Sequence, residues 1–305
     1  MNAVHGCLVV AAIVEPPNRH AAPVGRVVRV LAEEGVAQTA VDLAIASHQL
    51  PHEFPAAVVR EALDAGKKVI AAGPGNPPSV VDETADLEKA ARDLVMGASL
   101  DNNIICTDEK EILCVSLVAD RLKEQLARSG AIVLAPHQTA QLRKLVLERE
   151  QGPRKYAVID RRWVGKDASV ILREAGIPCP TDVRIALCEV DADHPFLWTE
   201  LMMPILPLVR VRHVDEAIDF AVEVEHGYRH TASMHSRNID KLHRMARACD
   251  ASIFVKNGPN ASGLGWNGEG PTSFTIASPT GEGMTTARSF TRLRRCTLVD
   301  RFRIV

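Results

Sequence analysis

Aromatic residues are scarce here: phenylalanine, tryptophan and tyrosine together make up 4% of 305 residues. A surface that stacks exposed bases needs such rings, so single-stranded nucleic acid is not indicated as a partner. Positive charge is not in excess either, with 36 lysines and arginines against 38 acidic residues, a net −2. That removes the electrostatic case for nucleic acid or an anionic membrane as partner. No apolar run approaches the ~20 residues a membrane-crossing helix needs. The apolar opening GCLVVAAIV has no basic residue ahead of it, so it does not read as a secretory leader. Cys7, Cys106, Cys114, Cys179, Cys188, Cys249 and Cys296 are scattered and form no CxxC pair. Neither a zinc site nor a disulfide framework is indicated, and a reducing cytoplasm is the natural setting.

What is present is ordinary globular composition, 46% apolar and 24% charged, in a chain long enough for two domains. From about residue 66 short β-like runs alternate with amphipathic helical segments. KKVIAA (67–72) reads as a strand, and GPGNPP after it as a loop, because glycine and proline break both periodicities. The next helix starts near Thr84, its expected N-cap, with Leu87, Ala90, Ala91, Leu94, Val95 and Ala98 at helical spacing. EILCV (111–115) and AIVLA (131–135) read as buried strands around the helix SLVADRLKEQLARSG. VRIALCEV, ILPLVRV, RHTASMHS and ASIFVKN continue as strands, with helices over 214–227 and 238–249. The rhythm predicts an α/β fold with an open, mostly parallel sheet. Residues 258–287 are glycine- and proline-rich and interrupt it, and RRCTLVDRFRIV at the end returns to strand character.

Several motifs carry chemistry on paper. GLGWNG (263–268) matches GxGxxG, but Pro271 follows and no helical stripe does, so the loop does not read as a dinucleotide fingerprint. His226, His230 and His235 crowd together, yet Gly227 stops the helix between the first two, which opposes a shared metal. On the strand His230 and His235 point to opposite faces. Glu200, in WTELMMPILP, has no special role on periodicity alone. Cys106, in DNNIICTDEK, has two readings. Amide donors from the asparagines, and backbone N–H groups of a turn or helix beginning after it, would lower the thiol's pKa and stabilise an oxyanion. A buried inert cysteine is the other reading, and the residues alone leave both open.

The order of several long motifs resembles the aldehyde dehydrogenase superfamily. Within it the likeness is to the CoA-acylating propionaldehyde and acetaldehyde dehydrogenases of bacterial microcompartments. It runs from about residue 58 and rests on GKKVIAAGPGNPPSVVDETADLEKAARD, GASLDNNIICTDEKEI, ELMMPILPLVRV, HTASMHS and SIFVKNGP. The resemblance implies a short-chain aldehyde substrate, NAD as cofactor and coenzyme A as co-substrate. Cys106 would be the nucleophile and carry the acyl group as a thioester. Glu200 would bind the nicotinamide-side ribose, Gly73 would belong to the cofactor site, and His230 would act near acyl transfer. Where hydrolytic members carry a glutamate as base on water, this sequence has Ala72, which fits release of the acyl group to a thiol. A homo-oligomer joined through the C-terminal strand is implied, in the cytoplasm or inside a microcompartment, with association to its shell as a further expectation.

Residues 1–57 do not resemble the family's N-terminal region, and no glycine pair precedes AVVREALDAGKK. The expected organisation is a divergent or partial NAD-binding region over 1–72, a catalytic domain over 73–255, and a return segment with a C-terminal oligomerisation strand over 256–305. A catalytically inactive fragment serving only in assembly is the alternative to an enzyme.

Overall fold

The computed structural model describes residues 8–15, 24–32, 68–270 and 272–299, the first two stretches as backbone only. The chain divides into two compact units, Met1–Val59 and Arg60–Val305. The division falls ahead of the boundary expected after residue 72. In the first unit, β1 (Leu8–Glu15) and β2 (Val24–Ala32) form an antiparallel pair.

The second unit is built on a seven-stranded sheet. Its strands are β3 (Pro78–Val81), β4 (Glu111–Val115), β5 (Ala131–Leu134), β8 (Ile185–Glu189), β9 (Ile205–Val211), β10 (Thr231–His235) and β11 (Ile253–Lys256). Two short strands outside it, β6 (Leu147–Arg149) and β7 (Val158–Ile159), pair with each other. The order across the sheet is β11-β10-β3-β4-β9-β8-β5, and every neighbouring pair is parallel. Parallel strands covered on both faces are apolar throughout rather than alternating, and all five residues of β4 are buried.

The helices are α1 (Leu87–Ala98), α2 (Ser116–Arg128), α3 (Pro136–Val146), α4 (Ala168–Glu174), α5 (Val214–Val224) and α6 (Ile239–Cys249). α1 packs on α2, and α5 packs on α6 and over β3 and β4. Leu94, Leu113, Leu122, Leu206, Ile218 and Met234 belong to the one core these elements share. Among the described residues no helix is long and apolar enough to cross a membrane.

Three local expectations are corrected. Residues 68–72 form no strand; the chain enters the sheet only at Pro78, where a strand's first position tolerates proline. The cap of α1 is Asp86, whose side chain accepts from the Lys89 N–H at 3.1 Å, because Thr84 is already held by Asp82. At the chain's end, residues 291–299 carry no strand and are mostly exposed, and residues 300–305 of the expected strand lie outside the described residues.

Candidate active site

The neighbours β10, β3 and β4 run in one direction, so the segments leading into them meet at one end of the sheet. Those segments are 73–77, 100–110 and 225–230. The register sets Pro78 opposite Glu111 and Ser79 opposite Ser233. The Lys110 N–H donates to the Pro77 carbonyl at 3.1 Å and ties the first two segments together.

The segment before β4 turns sharply. Asp101, Asn102 and Asn103 have φ of 45°, 55° and 66°, left-handed values that Asp and Asn adopt more readily than other side-chain-bearing residues. Their amides are spent on the fold. Asn102 Nδ2 donates to Gly165 O and Asp167 Oδ1 at 3.0 and 2.9 Å, and Asn103 Nδ2 to Ala98 O and Glu109 O at 2.9 and 3.0 Å. The expected donation from these amides to sulfur is therefore not what they do. Cys106 lies within a turn closed by the Asp108 N–H on the Ile105 carbonyl at 3.0 Å, and no helix follows.

Cys106 is half-buried, and its thiol is pushed up to about 11. Burial is the main cause; the carboxylates of Glu200 and Asp108 add to it, while Lys110 and the residue's own backbone N–H pull the other way. The expectation of a lowered pKa is reversed because desolvation outweighs those two favourable partners. The resting sulfur is a neutral thiol.

Gly75 brings the other candidates to it. A Cβ at that position would fall 2.9 Å from the Cys106 carbonyl oxygen and 3.0 Å from Cγ of His230. Only a glycine lets the two approach so closely without a shift. The Gly75 N–H also donates to the Glu200 carboxylate. Glu200 is half-buried, with burial raising its pKa and Lys110 opposing that. Cys106, His230 and Glu200 therefore all adjoin one backbone residue. This is the convergence that sequence spacing could not supply.

His230 is buried, its Nδ1 2.9 Å from Thr231 Oγ1, and burial holds it near 4, so the ring is neutral. Its backbone N–H donates to Glu225 Oε1 at 2.8 Å. The Glu225 carboxylate also gathers the N–H groups of Gly227, Tyr228 and Arg229, which shapes the turn that presents the histidine. His235 is buried further along β10, away from this lead-in segment. His226 instead meets the Trp198 carbonyl through Nε2 at 3.1 Å.

The remaining candidates lie as follows. Gly73 sits against Pro279, whose ring Cγ would be 2.6 Å from a Cβ there, so close packing alone accounts for this glycine. Ala72 is exposed. Carboxyl groups are nonetheless present at the sulfur, since Glu200 and Asp108 both act on it. GLGWNG begins inside a short 3-10 turn, Asn260–Leu264, rather than directly after a strand. A Cβ on Gly263 would meet Ile253 Cγ2 at 2.2 Å, and one on Gly268 the Ser262 carbonyl at 2.2 Å. These glycines serve chain packing, in line with the reading against a dinucleotide fingerprint.

One feature of the site escaped the pattern of the sequence. Asp108, Glu109 and Glu111 are all fully buried. Both oxygens of Glu111 and Oε2 of Glu109 have no hydrogen-bond partner among the described residues, and Asp108 has none beyond the Ile105 N–H. Burial pushes Asp108 up to about 7, Glu109 up to about 8 and Glu111 well above the carboxylate range. Lys110, exposed by 3%, stands among them. The only hint is the alternating DEKE placed directly before an apolar run.

Known proteins match the two parts of the chain differently. Residues 1–55 match a family model described as a cold shock domain, a family not suggested by patterning in a stretch read as a divergent or partial NAD-binding region. The rest is similar to the acetylating acetaldehyde dehydrogenase EutE of Salmonella typhimurium, 54% identical over 241 residues, covering 78% of this chain and 51% of that protein. The CoA-propanoylating propanal dehydrogenase of the same organism is 48% identical over 248 residues, covering 81% and 52%. Among solved structures, Rhodopseudomonas palustris propionaldehyde dehydrogenase with bound propionyl-CoA superposes at a TM-score of 0.74. It is 51% identical, over 79% of this chain and 52% of that one. An engineered glycolyl-CoA reductase with bound NADP+ superposes at 0.74 with 52% identity, over 79% and 54%. A propionaldehyde dehydrogenase from a Clostridium phytofermentans fucose-utilisation bacterial microcompartment gives 0.73 at 42% identity, over 80% and 56%. The chain spans about half the length of the curated relatives it matches. With its all-parallel sheet and half-buried cysteine in the matching region, the part of this chain that carries that sheet is similar in sequence and fold to the CoA-acylating aldehyde dehydrogenases.

Proposed function

We propose that the protein oxidises a short-chain aldehyde to its acyl-CoA through a thioester on Cys106, with NAD as hydride acceptor. The observation that supports this best is the meeting of Cys106, His230 and Glu200 around Gly75. Cys106 first loses its proton to water, its sulfur then adds as thiolate to the aldehyde carbonyl carbon, and the new oxyanion lies beside the Cys106 backbone N–H. Bound NAD supplies the acceptor for the hydride that leaves this carbon. The carbon then remains on sulfur as a thioester, and Cys106 departs as thiolate when the thiol of coenzyme A takes the acyl group. His230, neutral at physiological pH, can accept a hydrogen bond from the coenzyme A thiol during that exchange.

Glu200 fits the cofactor role assigned to it. Its carboxylate is fixed by the Gly75 N–H beside the nucleophile, and a carboxylate so held can accept from ribose hydroxyls. Gly73 would lie on the approach to the same site, and 73–255 would be the catalytic domain. Ala72, standing where hydrolytic members of the family carry the base on water, supports thiolysis over hydrolysis, and a thiol near pKa ~8.5 already carries a few per cent thiolate at neutral pH. A homo-oligomer and a place in a bacterial microcompartment, with contact to its shell, belong to the same reading, as the neighbour from such a compartment suggests.

The test is an assay of the purified chain with propionaldehyde, CoA and NAD. Acyl-CoA and NADH above a Cys106→Ala control are expected; their absence rejects the reading for this chain. A second reading, a catalytically inactive assembly subunit, is favoured by the cold shock match of residues 1–55. It is discarded if light scattering finds a monomer that binds no full-length relative.

A further inference from the structure

Lys110 is a buried ammonium at the centre of the site, and no step above employs it. Its Nζ donates three hydrogen bonds: to the Asn103 carbonyl at 2.8 Å, to Asn103 Oδ1 at 2.9 Å and to the Ile105 carbonyl at 3.1 Å. Its backbone N–H holds Pro77. The side chain thus closes 103–110 into a ring with Cys106 on the turn, and the backbone pins that ring to the segment carrying Gly75.

All three acceptors of the ammonium are uncharged oxygens. Among the described residues these three contacts leave the positive charge outside any direct ion pair, although Asp108, Glu109 and Glu111 flank it in sequence. It acts through space instead. The groups facing it are Cys106, Asp108 and Glu111 on its own segment, Glu200 ahead of β9 and His230 ahead of β10. Glu225, at the end of α5, is a further carboxylate beside Glu111. Every other charge acting on the sulfur, from Glu200 and Asp108, opposes its ionisation.

We propose that Lys110 is the positioning residue of the Cys106 nucleophile, fixing the backbone before the sulfur and supplying the positive charge against which it is deprotonated. This rests on Cys106 being the nucleophile. It assigns the lysine a role distinct from that of His230, because its three N–H donors are engaged by Asn103 and Ile105.

The test is the pH profile of Cys106 alkylation by iodoacetamide, resolved by peptide mass spectrometry against the other cysteines. Lys110→Met keeps length and loses charge. Its alkylation rate below the midpoint should fall about tenfold or more, with the midpoint moving up by about one pH unit or more, the scale on which an adjacent opposite charge acts. Lys110→Arg keeps the charge but not the three-carbonyl geometry, so its midpoint should stay near the wild-type value while the rate falls. Where Lys110→Met does not fold, the double variant Lys110→Met/Glu111→Gln removes the ammonium together with a neighbouring buried acid and should still show a lower rate and a raised midpoint. A wild-type profile in a folded variant lacking the ammonium overturns the proposal. Propionyl-CoA alone separates this from failure of the underlying reading. If wild-type Cys106 takes up no propionyl group, the nucleophile assignment fails; if it is acylated and the alkylation profile does not move, only the role of Lys110 fails.

Discussion

The two ends of the sheet hold the same kind of side chain and treat it in opposite ways. At the carboxyl ends of β3 and β10, Asp82 is buried but saturated. Its Oδ1 accepts from the Thr84 N–H at 2.9 Å and the Thr84 hydroxyl at 2.7 Å, and its Oδ2 from Ser236 Oγ at 2.5 Å. The network runs on through Asn257, whose side chain bonds both the N–H and the carbonyl of Ser236. At the amino end of the neighbouring β4, Glu111 has no partner for either oxygen among the described residues, and Asp108 has none beyond the Ile105 N–H. Unpartnered buried acids are costly, and natural folds keep few of them. The fold therefore ties one end of the sheet shut and concentrates its electrostatic strain at the other, where the cysteine stands.

The hardest test of that contrast is at the sulfur. Cys106→Ala should abolish acyl uptake from propionyl-CoA, read by intact mass, while the melting temperature hardly changes; retained acylation would remove the amino end's claim to chemistry. The next effect is on pH dependence. Asp108 is pushed up to about 7 from the ordinary 3.8, so the folded chain keeps a proton that the unfolded chain releases near pH 4. Stability should therefore be greatest at the acidic side of this window, fall as pH rises towards 7, and level off above it. At about 1.4 kcal/mol per unit the loss from this group is at most about 4 kcal/mol. Glu109, pushed up to about 8, extends the fall. Asp108→Asn should flatten the dependence, measured by thermal unfolding between pH 5 and 8; an unchanged slope would show that Asp108 is hydrated and ordinary. Gly75→Ala comes third. Its methyl would sit 2.9 Å from the Cys106 carbonyl oxygen, and a displacement of this kind costs on the order of 100-fold in rate. Acylation kinetics at wild-type speed would mean that the close approach is not needed.

How much of this could be read beforehand differs between scaffold and site. The strands EILCV and ILPLVRV and the helix starting at Ser116 are found where periodicity puts them, because a central parallel strand and an amphipathic helix each write their burial into local pattern. KKVIAA fails since apolarity without a sheet neighbour makes no strand, and nothing local says that pairing waits for Pro78. The left-handed turn at Asp101–Asn103 is foreshadowed by residue type. The role of Cys106 is not, because its surroundings come from three segments brought together only by the order β10-β3-β4. For the same reason DEKE looks like a solvated charge run, although Asp108, Glu109, Lys110 and Glu111 are all buried.

The smallest effect is the most discriminating, because it applies one chemical change to both ends. Asp82→Asn keeps size and replaces a carboxylate that accepts three hydrogen bonds with an amide that can repeat only part of them. Hydrogen bonds to a charged group are worth about 1.5–3 kcal/mol each, and partial replacement leaves a loss of about 1–2 kcal/mol. Urea unfolding should show it at pH 7, the pH at which Asp108→Asn is expected to stabilise. Cys106 alkylation should be unaffected by the Asp82 change, since the carboxyl end of β3 contributes no charge to the groups that act on the sulfur. Opposite signs of stability change from the same substitution at the two ends would establish that one acid is there to be bonded and the other to be kept buried with few partners. Equal signs, or an alkylation midpoint that moves with Asp82, would dissolve the distinction.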